Sequence, residues 1–174
     1  MWSDVFGGFM VTETRFKDEL MAWIEDNHIK SIKGVDFYEY FCYDYRTHYV
    51  LMCIDSLGEE VRLWIKEFLE DQGCRNADYP EPVLSFLHEI GHGETWDSFS
   101  AMELMLYSLM KDTSDTKEEA FEYWSVPDEY AANKWAANFI NDHPQAVNDL
   151  WDIFYKYWND LIGKEITLYD TGTL

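Results

Sequence analysis

Residues 80–92 read Pro80-Glu81-Pro82-Val83-Leu84-Ser85-Phe86-Leu87-His88-Glu89-Ile90-Gly91-His92, and this stretch decides the fold. Pro80 and Pro82 suit the start of a helix, where a missing N–H costs nothing. The helix is expected to run to about Gly91–Gly93, with Val83, Leu84, Phe86, Leu87 and Ile90 anchoring it in a core. His88 and His92 stand at i and i+4, one turn apart on one face. Two imidazoles so spaced can reach a single Zn²⁺ ion at about 2.0–2.1 Å. Glu89, beside the first of them, is placed to act as general base toward a water on that ion. Gly91 leaves room for a close neighbour. The bland alternative is a surface helix that carries two histidines.

A catalytic zinc site needs a third protein ligand and an open position. The best candidate follows His92 after 36 intervening residues, in Glu129-Tyr130-Ala131-Ala132-Asn133-Lys134-Trp135-Ala136-Ala137-Asn138-Phe139-Ile140. Helical spacing puts Glu129, Ala132, Asn133, Ala136 and Ile140 on one face. The alanines allow close approach to the first helix, Glu129 then offers a carboxylate oxygen, and Asn133 can accept the free ring N–H of a ligand histidine. Alone, Glu129 also reads as an acid stabilising a helix N-terminus. His143 and Tyr130 are candidate stabilisers of a reaction oxyanion, and each also has a purely structural reading. His28 and His48 lack ligand spacing and read as surface or turn residues.

Outward from these segments, Thr12 is a possible cap for a helix over about Glu13–Asn27, with Phe16, Leu20, Trp23 and Ile24 on one stripe. Phe37–Tyr43 reads as one strand and Tyr49–Ile54 as another, with Asp44–Thr47 as a hairpin turn. A helix over about Glu59–Gln72 should stop at Gly73. Further helices are expected from Ser98 or Ser100 to about Lys111, from Thr113-Ser114-Asp115 to about Trp124, and from Pro127 to about Asn141. A last helix, about Gln145–Ile162, would carry Val147, Leu150, Trp151, Phe154, Tyr155, Trp158 and Leu161 on its apolar side. Gly163 would end it, and Glu165–Tyr169 would add a short strand. Strands segregated from helices predict an α+β fold: a small early β-sheet packed against a mainly helical domain. The whole of residues 1–174 is expected to be one domain, with the zinc-site segment at about 80–144.

HExxH followed by ExxAN and WAxxFI resembles the ImmA/IrrE-type metallopeptidases, a compact branch of the gluzincin zinc peptidases. That family shows HExGH and then E-x-x-A-(N/D)-x-F-A-x-x-L-L on a later helix. The matching residues are His88, Glu89, Gly91 and His92, then Glu129, Ala132, Asn133, Trp135, Ala136, Phe139 and Ile140, with Trp135 where the family has Phe. The resemblance spans about Val83–Pro144. It implies a minimal gluzincin-like metallopeptidase domain, zinc as cofactor, and a bacterial or phage setting in which relatives cleave or regulate repressors. The implied substrate is a protein or peptide, such as a DNA-binding regulator, and such regulators are commonly basic.

Composition fits a folded acidic protein. Apolar types make up 47% of residues and aromatics 18%, which excludes general disorder. Thirteen Lys+Arg against 34 Asp+Glu give a net charge of −21, which opposes direct binding of nucleic acid or anionic membrane and attracts a basic partner. The longest clear apolar run, Tyr49–Ile54, falls far short of the roughly 20 residues that span a bilayer. Met1–Met10 contains Asp4 and no Lys or Arg, unlike a secretion signal. Three cysteines without a CxxC pair do not form a disulfide framework, so Cys42 and Cys53 read as reduced core residues and the protein as cytoplasmic. The leading expectation is a zinc peptidase. The alternative is an acidic binding or inhibitor protein, a mimic of DNA, whose zinc site is structural or vestigial. Such a site would need no base at Glu89.

Overall fold

The computed structural model describes residues 2–53, 64–111 and 116–170. Among these the order is α1 (Trp2–Asp26), β1 (Gly34–Phe37), β2 (Cys42–Asp44), β3 (Tyr49–Met52), α2 (Ile65–Asp71), α3 (Glu81–Thr95), α4 (Ala101–Met110), α5 (Lys117–Trp124), α6 (Pro127–Asp142) and α7 (Pro144–Asp170), with a 3₁₀ turn at Trp96–Ser98. The fold is α+β and mainly helical. Among the described residues, no helix is long and apolar enough to cross a membrane.

Helix α3 lies at the centre. Every residue from Pro82 to His92 is buried, as expected of a helix that is apolar on nearly every side. It packs most extensively against α6, with β2 and β3, α2 and α7 also in contact. A Cβ on Gly91 would lie 2.4 Å from the Ala132 carbonyl oxygen, so the two helices touch backbone to backbone at this point. Helices α1 and α7 pack together through Phe16, whose ring stacks on Tyr157 at 4.0 Å and meets Phe154 edge-on at 5.3 Å. The Trp23 indole N–H donates to the Ala146 carbonyl at 2.8 Å.

The sheet has the order β1-β3-β2. β1 runs parallel to β3, with Gly34 opposite Tyr49 and Phe37 opposite Met52, and β2 runs antiparallel to it, with Cys42 opposite Leu51. The hairpin turn lies at Asp44–Thr47: Asp44 accepts from the Arg46 N–H at 3.0 Å and the Thr47 hydroxyl at 2.6 Å, and His48 takes a positive φ of 59°. The expected single strand over Phe37–Tyr43 is instead two. β1 and β2 flank β3 on opposite edges, so Tyr38–Phe41 must cross from one edge to the other and cannot pair throughout.

Other boundaries differ. α1 begins at Trp2, so Thr12 lies buried inside the helix and does not cap it; no proline interrupts the preceding turns. Gly73 stops α2 with φ +91°, while the Cys74 N–H donates to Leu69 O, the pattern of a left-handed helix end. The expected start of that helix at Glu59, the end of β3 at Ile54, and the break at Thr113-Ser114-Asp115 lie outside the described residues. Ser100 and Thr116 cap α4 and α5, each in a reciprocal capping box with Glu103 and Glu119. α7 runs through Gly163 to Asp170, so Glu165–Tyr169 is helix, not strand; a helical glycine costs about 1 kcal/mol but does not by itself end a helix. Its buried stripe is Val147, Leu150, Phe154 and Tyr157, while Trp151, Tyr155 and Trp158 are exposed on the flank. None of the three cysteines forms a disulfide; Cys42 and Cys53 are half-buried, and Cys74 is buried.

Candidate metal centre

The backbone contact of Gly91 with Ala132 sets His88 and His92 of α3 opposite the first turns of α6. There His88 Nε2 and His92 Nε2 lie 3.2 Å apart, and Glu129 Oε2 lies 3.0 Å from the first and 3.4 Å from the second. His88, His92, Glu129 and Glu89 are all buried. No N–H is aimed along a hydrogen-bonding direction at Glu129 Oε2, so this buried carboxylate oxygen is left unsatisfied.

Asn133, one turn beyond Glu129, fixes the tautomer of His88. Its amide N–H donates to the Glu129 carbonyl at 3.1 Å, which leaves Oδ1 as acceptor for the His88 Nδ1–H, also at 3.1 Å. A neutral His88 therefore presents a lone pair at Nε2. The three converging atoms are two imidazole nitrogens and one carboxylate oxygen, and His88, Glu89, His92 and Glu129 can hold a metal ion.

The other Glu129 oxygen is occupied differently. Lys111, just past the end of α4, places its ammonium 2.5 Å from Glu129 Oε1 and 2.6 Å from Asp128 Oδ2. Burial raises the Glu129 pKa, but the adjacent His92 and His88 outweigh it and hold the carboxyl well below its usual range. Burial lowers the His92 pKa, and Glu129 and Glu89 more than reverse this. Lys111 is likewise lowered by burial and raised more by Glu129 and Asp128. Three buried carboxyl groups, of Glu89, Asp128 and Glu129, thus gather around the two histidines with one ammonium, that of Lys111, a donor set suited to a cation.

A cavity of about 220 Å³ opens over this cluster. Glu89, Lys111 and Tyr123 line it, as do Tyr45 and, from β2, Cys42 and Tyr43. The Tyr45 ring stands edge-on to His92 and stacks on Trp96 at 4.1 Å. Burial, with the charges of Asp128, Glu129 and Glu89, raises the Tyr45 pKa and keeps its phenol protonated. The structure thus brings together His88, Glu89, His92, Glu129 and Asn133. It does not bring Tyr130 or His143 to the cavity wall: Tyr130 is exposed, and His143 ends α6 with its ring 4.8 Å from Phe139. Tyr130 follows Glu129 by one residue, which turns it about 100° away on a helix.

Lys111, Asp128, Tyr45 and Tyr123 are site residues that sequence reasoning missed. Asp128 had a signal, its place beside Glu129 in the first turn of α6. Lys111 had none, because its bonds cross from one helix end to another. Compared with protein-family models, curated proteins and solved structures, the chain matches none.

Proposed function

We propose that this protein is a zinc-dependent peptidase of the ImmA/IrrE type, acting on a protein substrate. The observation that carries this reading is the convergence of His88 Nε2, His92 Nε2 and Glu129 Oε2 at 3.0–3.4 Å, with Glu89 in the same cavity wall. The separations favour zinc: bonds of about 2.0–2.1 Å in tetrahedral geometry put neighbouring donors about 3.3 Å apart. Bound there, zinc supplies Lewis acidity, polarising a carbonyl and making a water acidic.

The chain's own groups do the rest. A Glu89 carboxylate oxygen takes the proton of the attacking water and passes it to the leaving amine nitrogen. The phenols of Tyr45 and Tyr123, on the cavity wall, are assigned as donors to the developing oxyanion, in place of Tyr130 and His143. Among the described residues β2 is an edge strand beside the cavity, and an extended substrate segment adds to that edge by main-chain hydrogen bonds. A basic substrate, such as a DNA-binding regulator, suits the −21 charge. With three cysteines outside any disulfide, the protein is read as cytoplasmic.

Metal analysis of the purified protein should give one zinc per chain, lost in His88→Ala. Glu89→Gln should keep the metal and the fold while hydrolysis falls by about 10²–10⁴-fold, and Glu129→Ala should lose the metal itself. If Glu89→Gln keeps the full biological effect and Glu129→Ala loses it, the centre is architectural and the acidic binding-protein reading replaces the peptidase.

A further inference from the structure

Helix α4 carries Met102, Met105, Leu106, Leu109 and Met110, the i, i+3, i+4, i+7, i+8 spacing of a core-facing stripe. Here that stripe faces outward. The five side chains are 74%, 67%, 53%, 75% and 63% exposed, and no residue of α4 is buried. Together they bare on the order of 500 Å² of apolar surface, at the upper end of what a monomer leaves uncovered.

The stripe continues into a groove of about 550 Å³ between the end of α4 and α5. Its apolar floor is Met110, Phe121, Val126 and Pro127, and its acidic rim is Glu118 and Glu122. Lys117, the sole cation of α5, is engaged in an ion pair with Glu67 and lies 5.6 Å from the centroid of the Phe121 ring. Groove and metal-centre cavity are neighbours in the chain twice over: Met110 lines one and Lys111 the other, and Glu122 lines one and Tyr123 the other.

We infer that α4 and the α4/α5 groove form a docking site for a cationic amphipathic segment of a partner protein. The apolar stripe and floor take its hydrophobic side chains, and Glu118 and Glu122 take its Lys or Arg. Charge selects this occupant. A second copy would bring another −21 surface and the same acidic rim against this one, and an anionic bilayer would be repelled likewise. That the docked segment belongs to the substrate, with its scissile part reaching the adjacent cavity, rests on the peptidase reading; the docking itself does not.

The test is fluorescence anisotropy on the full-length protein with a labelled helical peptide of roughly 16 residues, Leu at i, i+3, i+4 and i+7 and Lys elsewhere. The expected result is saturable binding that weakens with salt, and no binding of the same peptide with Glu in place of Lys. Met105→Glu/Leu109→Glu and, separately, Glu118→Lys/Glu122→Lys should each weaken it at least about tenfold, with circular dichroism and zinc content unchanged. The charge-reversal pair reads out the site even if the α4 pair misfolds. Unchanged affinity in well-folded variants overturns the inference. So does self-association that Leu109→Glu abolishes, or binding of phosphatidylserine vesicles through α4. The readout needs no hydrolysis, so the two proposals fail separately. Peptide binding with no cleavage of any protein sinks the peptidase and leaves the docking site. Cleavage of a basic protein with KM unchanged in the α4 variant sinks the link between docked segment and substrate, while unchanged peptide affinity in that variant sinks the docking site and leaves the peptidase.

Discussion

Gly91→Ala probes how closely the two metal-bearing helices must approach. The new Cβ would stand 2.4 Å from the Ala132 carbonyl oxygen and 2.9 Å from its carbonyl carbon and Cα. These are backbone atoms of a buried helix, so no rotamer change relieves the overlap. Reaching even the tightest real contact requires α3 and α6 to part by about 0.6 Å, and an ordinary contact requires about 1 Å. Gly91 sits between His88 and His92, and Ala132 sits between Glu129 and Asn133, so the displacement passes directly into the ligand triangle. Metal–ligand distances tolerate about ±0.2 Å. Overpacking costs about 1–3 kcal/mol, offset by the roughly 1 kcal/mol that alanine gains over glycine in a helix. The metal-free protein should therefore lose little, about 0–2 kcal/mol. The metal-loaded protein should lose much more, because a 100-fold weaker zinc affinity removes up to about 2.7 kcal/mol of binding-linked stability. For a chain of this size that corresponds to roughly 5–10 °C of the zinc-induced rise in Tm. Thermal melts with and without zinc, alongside competition against a chromophoric chelator, measure both quantities. A Gly91→Ala protein that melts higher than wild type and holds zinc equally well would refute the close-approach reasoning.

Lys111→Met removes the cation bound to Asp128 and Glu129, leaving the buried Asp128 without its ion pair and Glu129 with the two histidines alone. The metal-free protein should lose about 3–5 kcal/mol, and added zinc should restore much of it; equal melting without metal would show that the ammonium is not needed. Asn133→Leu removes the acceptor that orients His88, so zinc affinity should fall about 10–100-fold while the helix persists. An affinity within twofold of wild type in the chelator assay would count against the orienting role.

Much of the site was legible in the chain because its signals are local. The i, i+4 spacing of His88 and His92 puts both rings on one face of any helix that forms. Pro80 and Pro127 mark helix starts through their fixed backbone, Ser100 through its side-chain cap, and Gly73 marks a helix end by adopting φ +91°. The small residues Gly91, Ala132 and Ala136 announced a close helix pair. Gly163 misled, because a glycine stops a helix only when the chain leaves through a left-handed residue, and residue composition does not show whether it does.

By itself, then, the sequence determined which helices form, that two of them meet closely, and which of their residues can hold a metal ion. Neighbour-to-neighbour geometry on a helix settles those points without knowledge of the rest. Only the tertiary structure decided the sheet order β1-β3-β2, which turned one expected strand into two, and the binding of Lys111 to Asp128 and Glu129. It also decided that the apolar stripe of α4 faces outward and that Tyr130 and His143 stand away from the cavity. The reason is the same throughout. Periodicity specifies that a face is apolar or that a side chain is charged, but what that face or charge meets is set by elements far away in the chain, and their placement is a property of the packed whole.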